Sequence, residues 1–261
     1  MSGSGGRSRG RRPGASSWET VASWYDGWVG ERGSRYHQAA AIPAVLDLLR
    51  PERGEEILDV GAGQGVLAPF VAGRRARYTG VDASATLIDL ARRRHGRHGR
   101  FFVGDARALA SATGVTRAGY DAAVFLLSIQ DMDPLEPILA SLDWALRPAS
   151  RIVLLMTHPA FRQPRHAGWG FDAGRKLTFR RVDAYLGEMA VPMKEIGAAR
   201  TVSFHRPISS YINGLASIGF ATDAMVELPD LPEGVRPRGR RPADRADAEI
   251  PLFLGIRARR P

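Results

Sequence analysis

An apolar stretch, Glu56–Val60, runs straight into three glycines at alternating positions, Gly61, Gly63 and Gly65. A strand that hands over to a helix through glycines must turn sharply, and glycine lets the backbone do so while a ligand approaches closely. The spacing narrows the ligand. A dinucleotide turn reads G-x-G-x-x-G, and its third glycine would fall where this chain has Val66. No Gly-Lys-Ser/Thr follows, which excludes the phosphate cradle of a P-loop. Asp59 stands two residues before the first glycine. Its carboxylate would repel a pyrophosphate and attract a ligand carrying an ammonium and a sulfonium group.

The surrounding pattern alternates. Strands are expected over 56–60, 78–81, 101–103, 122–128 and 151–157, with helices over 64–72, 84–94 and 134–146 between them. Ser84 is placed to cap the second of these helices. Such alternation means a parallel sheet with right-handed crossovers. A further helix over 208–218 and strands over 221–228 and 250–257 complete it. Four segments flank or interrupt the 51–157 core. Residues 1–16 read as a disordered basic tail, and 17–50 as a helical cap. Residues 158–205 form an insertion of ambiguous period, rich in Arg, Gly, Pro and aromatics. The C-terminal part, 206–261, carries a Pro/Arg/Asp-rich stretch, 229–248, that reads as a mobile loop.

Composition excludes several chemistries. There are no cysteines, hence no disulfide, thiolate metal site or cysteine nucleophile. No apolar run approaches the roughly 18 residues a membrane helix needs, and no secretory signal is visible, so a cytoplasmic protein is expected. The net charge of +10 sits mostly at the ends: Arg7, Arg9, Arg11 and Arg12 at one, and an excess of arginines over acids beyond residue 232 at the other. A nucleic-acid enzyme usually carries its basic stripe on the folded domain.

Taken together, EEILDVGAGQG at 55–65, Val81-Asp82-Ala83-Ser84, Gly104-Asp105-Ala106 and Tyr120-Asp121 with the apolar strand after it resemble the class I S-adenosylmethionine-dependent methyltransferases, in their small-molecule branch. The resemblance covers roughly residues 17–228 and the last strand. It implies a Rossmann-like, doubly wound α/β fold: a seven-stranded sheet with its last strand antiparallel. It also implies S-adenosyl-L-methionine as cofactor and roles for particular residues. Asp82 would accept from the ribose hydroxyls, although a helix-capping role is the plainer alternative. Asp105 and the Ala106 N–H, next to Gly104, would meet the adenine. Gly61 and Gly63 would let the chain pass the methionine part, with Asp59 attracting its ammonium. Tyr25, Ala83, Leu87 and Leu127 would complete the cofactor's walls, and Ser128 and Gln130 would lie near the reacting sulfur.

The acceptor is less constrained. The chain reads Ser128-Ile129-Gln130-Asp131 after the fourth strand, without the paired prolines of enzymes that methylate base amines. Asp131 and Asp133 read as loop or helix-cap acids, so no metal is expected. Aromatics crowd the cap and the insertion. Trp24, Tyr25, Tyr36 and His37 are expected to meet Phe161, Trp169 and Tyr185 across the methyl group, as a lid over a planar acceptor. His158 is the first candidate for a general base, with His37 and Tyr25 behind it. The expectation is methylation of a small aromatic or heteroaromatic metabolite in secondary metabolism, by a monomer or homodimer without nucleic-acid or membrane partners. The alternatives are an RNA or protein methyltransferase and an inactive cofactor-binding scaffold.

Overall fold

Side-chain alternation along the central strands decides the architecture. In β1 (Glu56–Val60), Ile57 packs into one apolar layer and Leu58 into the other. In β4 (Tyr120–Leu126), Ala122 and Val124 face the first layer while Ala123 and Phe125 face the second. β5 (Leu146–Thr157) repeats this, with Val153 and Leu155 on one side and Ile152, Leu154 and Met156 on the other. Strands buried on both faces need helices on both faces. This computed structural model describes residues 18–193, 201–229, 246 and 248–261. The expected tail, 1–16, and most of the expected loop, 229–248, lie outside the described residues.

One face is covered by α2 (Ile42–Leu49), α3 (Ala68–Gly73) and α4 (Ala85–His95), the other by α5 (Leu135–Ala145) and α6 (Ile208–Ser217). The sheet also holds β2 (Arg77–Asp82), β3 (Arg100–Val103), β10 (Ala221–Leu228) and β11 (Phe253–Arg259), in the order β10-β11-β5-β4-β1-β2-β3. β11 runs antiparallel to both neighbours, while the five strands from β5 to β3 are mutually parallel. The expected seven-stranded sheet with an antiparallel last strand is the sheet observed. From β1 the chain steps outward through β2 and β3, then returns to place β4 on β1's other side. Ligands of open α/β sheets bind at such a reversal, beyond the carboxyl ends of the strands.

Two local readings need adjustment. The helix expected over 64–72 begins only at Ala68, because Gly65 turns at φ +81° and its N–H is bonded to the Ala62 carbonyl. A Cβ at Gly65 would also collide with the Phe101 ring at 2.6 Å. The segment 158–205 resolves into two antiparallel hairpins, β6 (Ala167–Asp172) with β7 (Leu177–Val182) and β8 (Met189–Pro192) with β9 (Val202–His205). Neither joins the main sheet.

The N-terminal cap is fastened to α4. After a tight turn, Trp18–Val21, comes α1 (Ala22–Val29). Glu19 accepts from the Ser84 and Thr86 hydroxyls at 2.5 and 2.6 Å, and Asp26 grips the Arg94 guanidinium with both oxygens. Ser84 caps α4 as expected, its hydroxyl accepting from the Leu87 N–H at 3.2 Å. Among the described residues no helix is long and apolar enough to cross a membrane.

Candidate active site

The loops after β1, β2, β3 and β4 converge on a crevice of about 840 Å³, toward the upper end of the roughly 300–1,000 Å³ usual for small-ligand sites. Its floor and walls include Gly61 and Gly63 from the first loop, Asp82, Ala83 and Leu87 from the second, Gly104, Asp105 and Ala106 from the third, and Leu127 and Ser128 from the fourth. Tyr25 closes one side. The crevice thus gathers eleven of the twelve residues that the sequence marks for the cofactor, and Asp59 is the exception.

The glycine turn is built for close approach. Gly61 has φ +76°, and a Cβ there would lie 2.6 Å from the Ser128 Cβ and the Met132 methyl. Gly63 has φ +54°, and a Cβ there would come only to ordinary contact, 3.6 Å from the Tyr25 ring. Asp82 fixes the turn: its Oδ2 accepts from the Gly63 N–H at 2.8 Å and its Oδ1 from the Ser84 N–H at 2.9 Å. A carboxylate offers about four acceptor positions, so two remain for a ligand. Asp105 is gripped by Arg107, whose Nη2 donates to Oδ2 at 2.6 Å and whose Nε reaches both oxygens. That guanidinium holds the Asp105 carboxyl below its ordinary range. Leu127 ends β4 at φ +56°, a left-handed conformation that bends the chain into the crevice, and the Ser128 hydroxyl pins this bend by donating to the Val60 carbonyl at 2.7 Å.

Asp59 lies beneath the turn, 1% exposed. Its Oδ2 accepts from the Tyr78 hydroxyl at 2.7 Å, and its Oδ1 has no hydrogen-bond partner. Burial pushes this carboxyl up to about 7.

The histidines and most of the lid aromatics lie elsewhere. His158 is buried, with Nε2 bonded to Glu227 at 2.8 Å and Nδ1 accepting from the Ala160 N–H, so its proton sits on Nε2. His37 is buried, paired with the Ser34 hydroxyl at 2.9 Å, and held neutral at about 4 by desolvation. Neither lines the crevice. Tyr25 does, but desolvation and the charges of Asp82, Asp131 and Asp59 hold its phenol well above the ordinary range, which leaves it a donor rather than a base. Trp24 stacks outside on Trp28, and Tyr36 stands edge-on to Phe253. Phe161 packs on His158, and the Tyr185 hydroxyl accepts from the Ile208 N–H at the start of α6. Gln130 points its amide at the Leu127 carbonyl, 2.6 Å away. The expected meeting of these side chains across the methyl group does not occur, because each is satisfied by a local partner.

Trp169 is 40% exposed and meets the Arg162 and Arg180 guanidiniums, 5.3 and 5.1 Å from its ring. Exposed cation–π contacts contribute about 0.5–1 kcal/mol each. Trp169→Ala should therefore lower the melting temperature by about 2–8 °C, with S-adenosylhomocysteine affinity unchanged by calorimetry. A large loss of affinity would place Trp169 in the site after all.

Sequence reasoning missed Trp18, Arg107, Asp131, Met132, Asp133 and Phe204, all of which line the crevice. Asp131 is the most informative. It keeps some surface toward the crevice, yet desolvation pushes its carboxyl up to about 8, and among the described residues it meets the Gln130 amide at 3.4 Å rather than a cation. Its position just past β4, at the carboxyl edge of the sheet, is the signal that could have found it. Phe204 arrives from β9, which packs against the Ile129–Asp131 turn.

Residues 57–149, from β1 into β5, match the family model described as methyltransferase domain. No curated protein matches the chain. Among solved structures, an S-adenosylmethionine-dependent methyltransferase from Mesorhizobium loti is similar at a TM-score of 0.69 and 24% identity, over 88% of this chain and all of that one. The 1,6-didemethyltoxoflavin-N1-methyltransferase of Burkholderia thailandensis, solved with its substrate and S-adenosylhomocysteine, is similar at 0.55 and 18%, over 93% and 86% of the two chains. Geranyl diphosphate C-methyltransferase from Streptomyces coelicolor is similar at 0.53 and 17%, over 85% and 78%. The family match spans the strands whose loops build the crevice, and the fold agrees beyond it: residues 57–149 match a methyltransferase domain, set in a fold shared with solved S-adenosylmethionine-dependent methyltransferases.

Proposed function

We propose that this protein methylates a small aromatic or heteroaromatic metabolite, with Asp131 as the proton acceptor. The observation that carries the reading is the make-up of the crevice: Trp18 and Tyr25 from the cap, Phe204 from β9, and a carboxyl, Asp131, that pairs with no cation among the described residues. The aromatic walls supplied by Trp18, Tyr25 and Phe204 suit a planar small ligand. Two proteins of similar fold act on small molecules, 1,6-didemethyltoxoflavin and geranyl diphosphate.

S-adenosylmethionine, when bound, supplies an electrophilic methyl group. The residues present fit it. Gly61 and Gly63 line the crevice, and a side chain at Gly61 would force apart the Ser128 and Met132 side chains that line it too. Asp82 has acceptor positions to spare for a ribose diol. Asp105 and the Ala106 N–H suit an adenine edge, with Arg107 sharing the Asp105 carboxylate. Leu87 and Leu127 offer apolar walls. The unpartnered Oδ1 of Asp59 fits a nearby ammonium, directly or through water. The protein orients the acceptor, excludes water and takes up a proton at Asp131 where the acceptor nucleophile sheds one.

The test is transfer of radiolabelled methyl groups to a panel of indoles, phenols and heteroaromatic amines, beside total RNA and a protein lysate. Label in the small molecules is expected. Label confined to RNA or protein overturns the reading, and cofactor binding without any transfer makes the protein a scaffold.

A further inference from the structure

A second cavity lies behind Phe204, which lines both it and the crevice. It measures about 20 Å³, room for about one or two oxygen-sized groups. Gln130, His158, Arg162, Gln163, Arg206 and Tyr211 are among its lining residues. The polar groups here are unusually bare. Gln163 is 2% exposed, and neither atom of its amide has a hydrogen-bond partner. Gln130 spends its Nε2 on the Leu127 carbonyl, which leaves Oε1 without a partner. Arg206 is also 2% exposed. Its Nη2 is held by Asp133 at 2.5 Å and the Met132 carbonyl at 2.9 Å, its Nη1 makes no hydrogen bond of good geometry, and the Tyr211 hydroxyl lies beside the guanidinium.

Buried polar groups are normally satisfied, and each exception asks for an occupant. Two guanidiniums facing one small space select an oxyanion. Arg162 is steadied from behind by the Trp169 ring and Arg206 by Asp133, so both are oriented in advance. His158 does not add a charge: burial lowers its pKa, and Nε2 is committed to Glu227. The space is too small for a ring but adequate for a terminal carboxylate.

We propose that this cavity binds a carboxylate carried by the acceptor, whose aromatic body lies in the crevice against the edge of Phe204. The inference rests on the small-aromatic reading and narrows it to aromatic acids. The carboxylate takes hydrogen bonds from Arg206, Arg162 and the Gln163 amide. Gln130 Oε1 accepts from a water or from a hydroxyl beside the carboxylate.

Full-length protein saturated with S-adenosylhomocysteine is titrated calorimetrically with matched pairs: salicylate and phenol, anthranilate and aniline, indole-3-carboxylate and indole. The acid of at least one pair should bind about tenfold tighter or better than its neutral partner, as a charge-assisted contact allows. Gln163→Leu should reduce that preference several-fold with the melting temperature unchanged or raised, since the amide has no partner to lose. Gln163→Glu, of the same size, should reduce it further by setting a negative charge against the carboxylate. Neutral and acid members binding alike overturn the inference and leave the small-aromatic reading standing, as for a cavity that holds only water. A preference unchanged in both variants also overturns it. If no aromatic of either kind binds, both readings fall.

Discussion

Asp131→Asn is expected to lower kcat by about 10²–10⁴, the usual contribution of a positioned acid or base, with S-adenosylhomocysteine affinity unchanged. The shape of the crevice is kept and only the proton-accepting oxygen is lost. The wild-type rate should rise with pH through about 8, where desolvation places this carboxyl, because a base must be ionised to act. The variant's profile should be flat over that range. Stability moves the other way. An unfolded aspartate ionises near pH ~3.9, whereas the folded group keeps its proton to about 8. Between those values the native state binds more protons, so stability falls as pH rises through the window. Asparagine carries no such penalty, and the variant should melt higher than wild type at pH 8. An enzyme that is slower, more stable and indifferent to pH is the signature of a group kept for chemistry at a cost to the fold. Unaltered kcat removes Asp131 from the reaction.

How far the site was legible depended on the range of the contacts that make it. The glycine turn, Asp82, Ser84 and Asp105 act within one strand–turn–helix unit each, and their spacing along the chain carries their meaning. The sheet was legible for the same reason, since buried strands declare themselves by short apolar runs. The hairpins of 158–205 were not. Trp169 reads as a candidate stacking platform until Arg180 across the β6–β7 ladder and Arg162 from the preceding loop are both seen against its ring. Sequence shows that an aromatic is present and not which neighbour claims it. Asp131 and Asp133 illustrate the same limit at close quarters. Two residues apart, they read alike as cap acids, yet Asp133 pairs with Arg206 from a segment more than seventy residues away and Asp131 pairs with no cation among the described residues.

Asp82→Ala should weaken S-adenosylhomocysteine binding by roughly a hundredfold or more, beyond what the loss of ribose contacts alone would give, because this carboxylate has a second task. It holds the Gly63 and Ser84 N–H groups at 2.8 and 2.9 Å, so alanine frees the glycine turn from the start of α4 as well. A hydrogen bond to a charged group contributes about 1.5–3 kcal/mol, and the turn must then be ordered anew each time the ligand binds. Asparagine should fare no better than alanine. Its amide oxygen can serve one of the two N–H groups, and its NH₂ meets the other donor to donor. The two tasks separate in a cycle with 2′-deoxyadenosine against adenosine. Removing the 2′-hydroxyl should weaken binding to wild type by about tenfold, the worth of roughly one hydrogen bond, and should cost the Ala variant nothing further. The variant's remaining deficit toward the deoxy ligand then measures the turn together with the 3′-hydroxyl contact, and 2′,3′-dideoxyadenosine isolates the turn. If the hydroxyl is worth as much to the variant as to wild type, Asp82 is only a clamp on the glycine turn, and the ribose is held by something else.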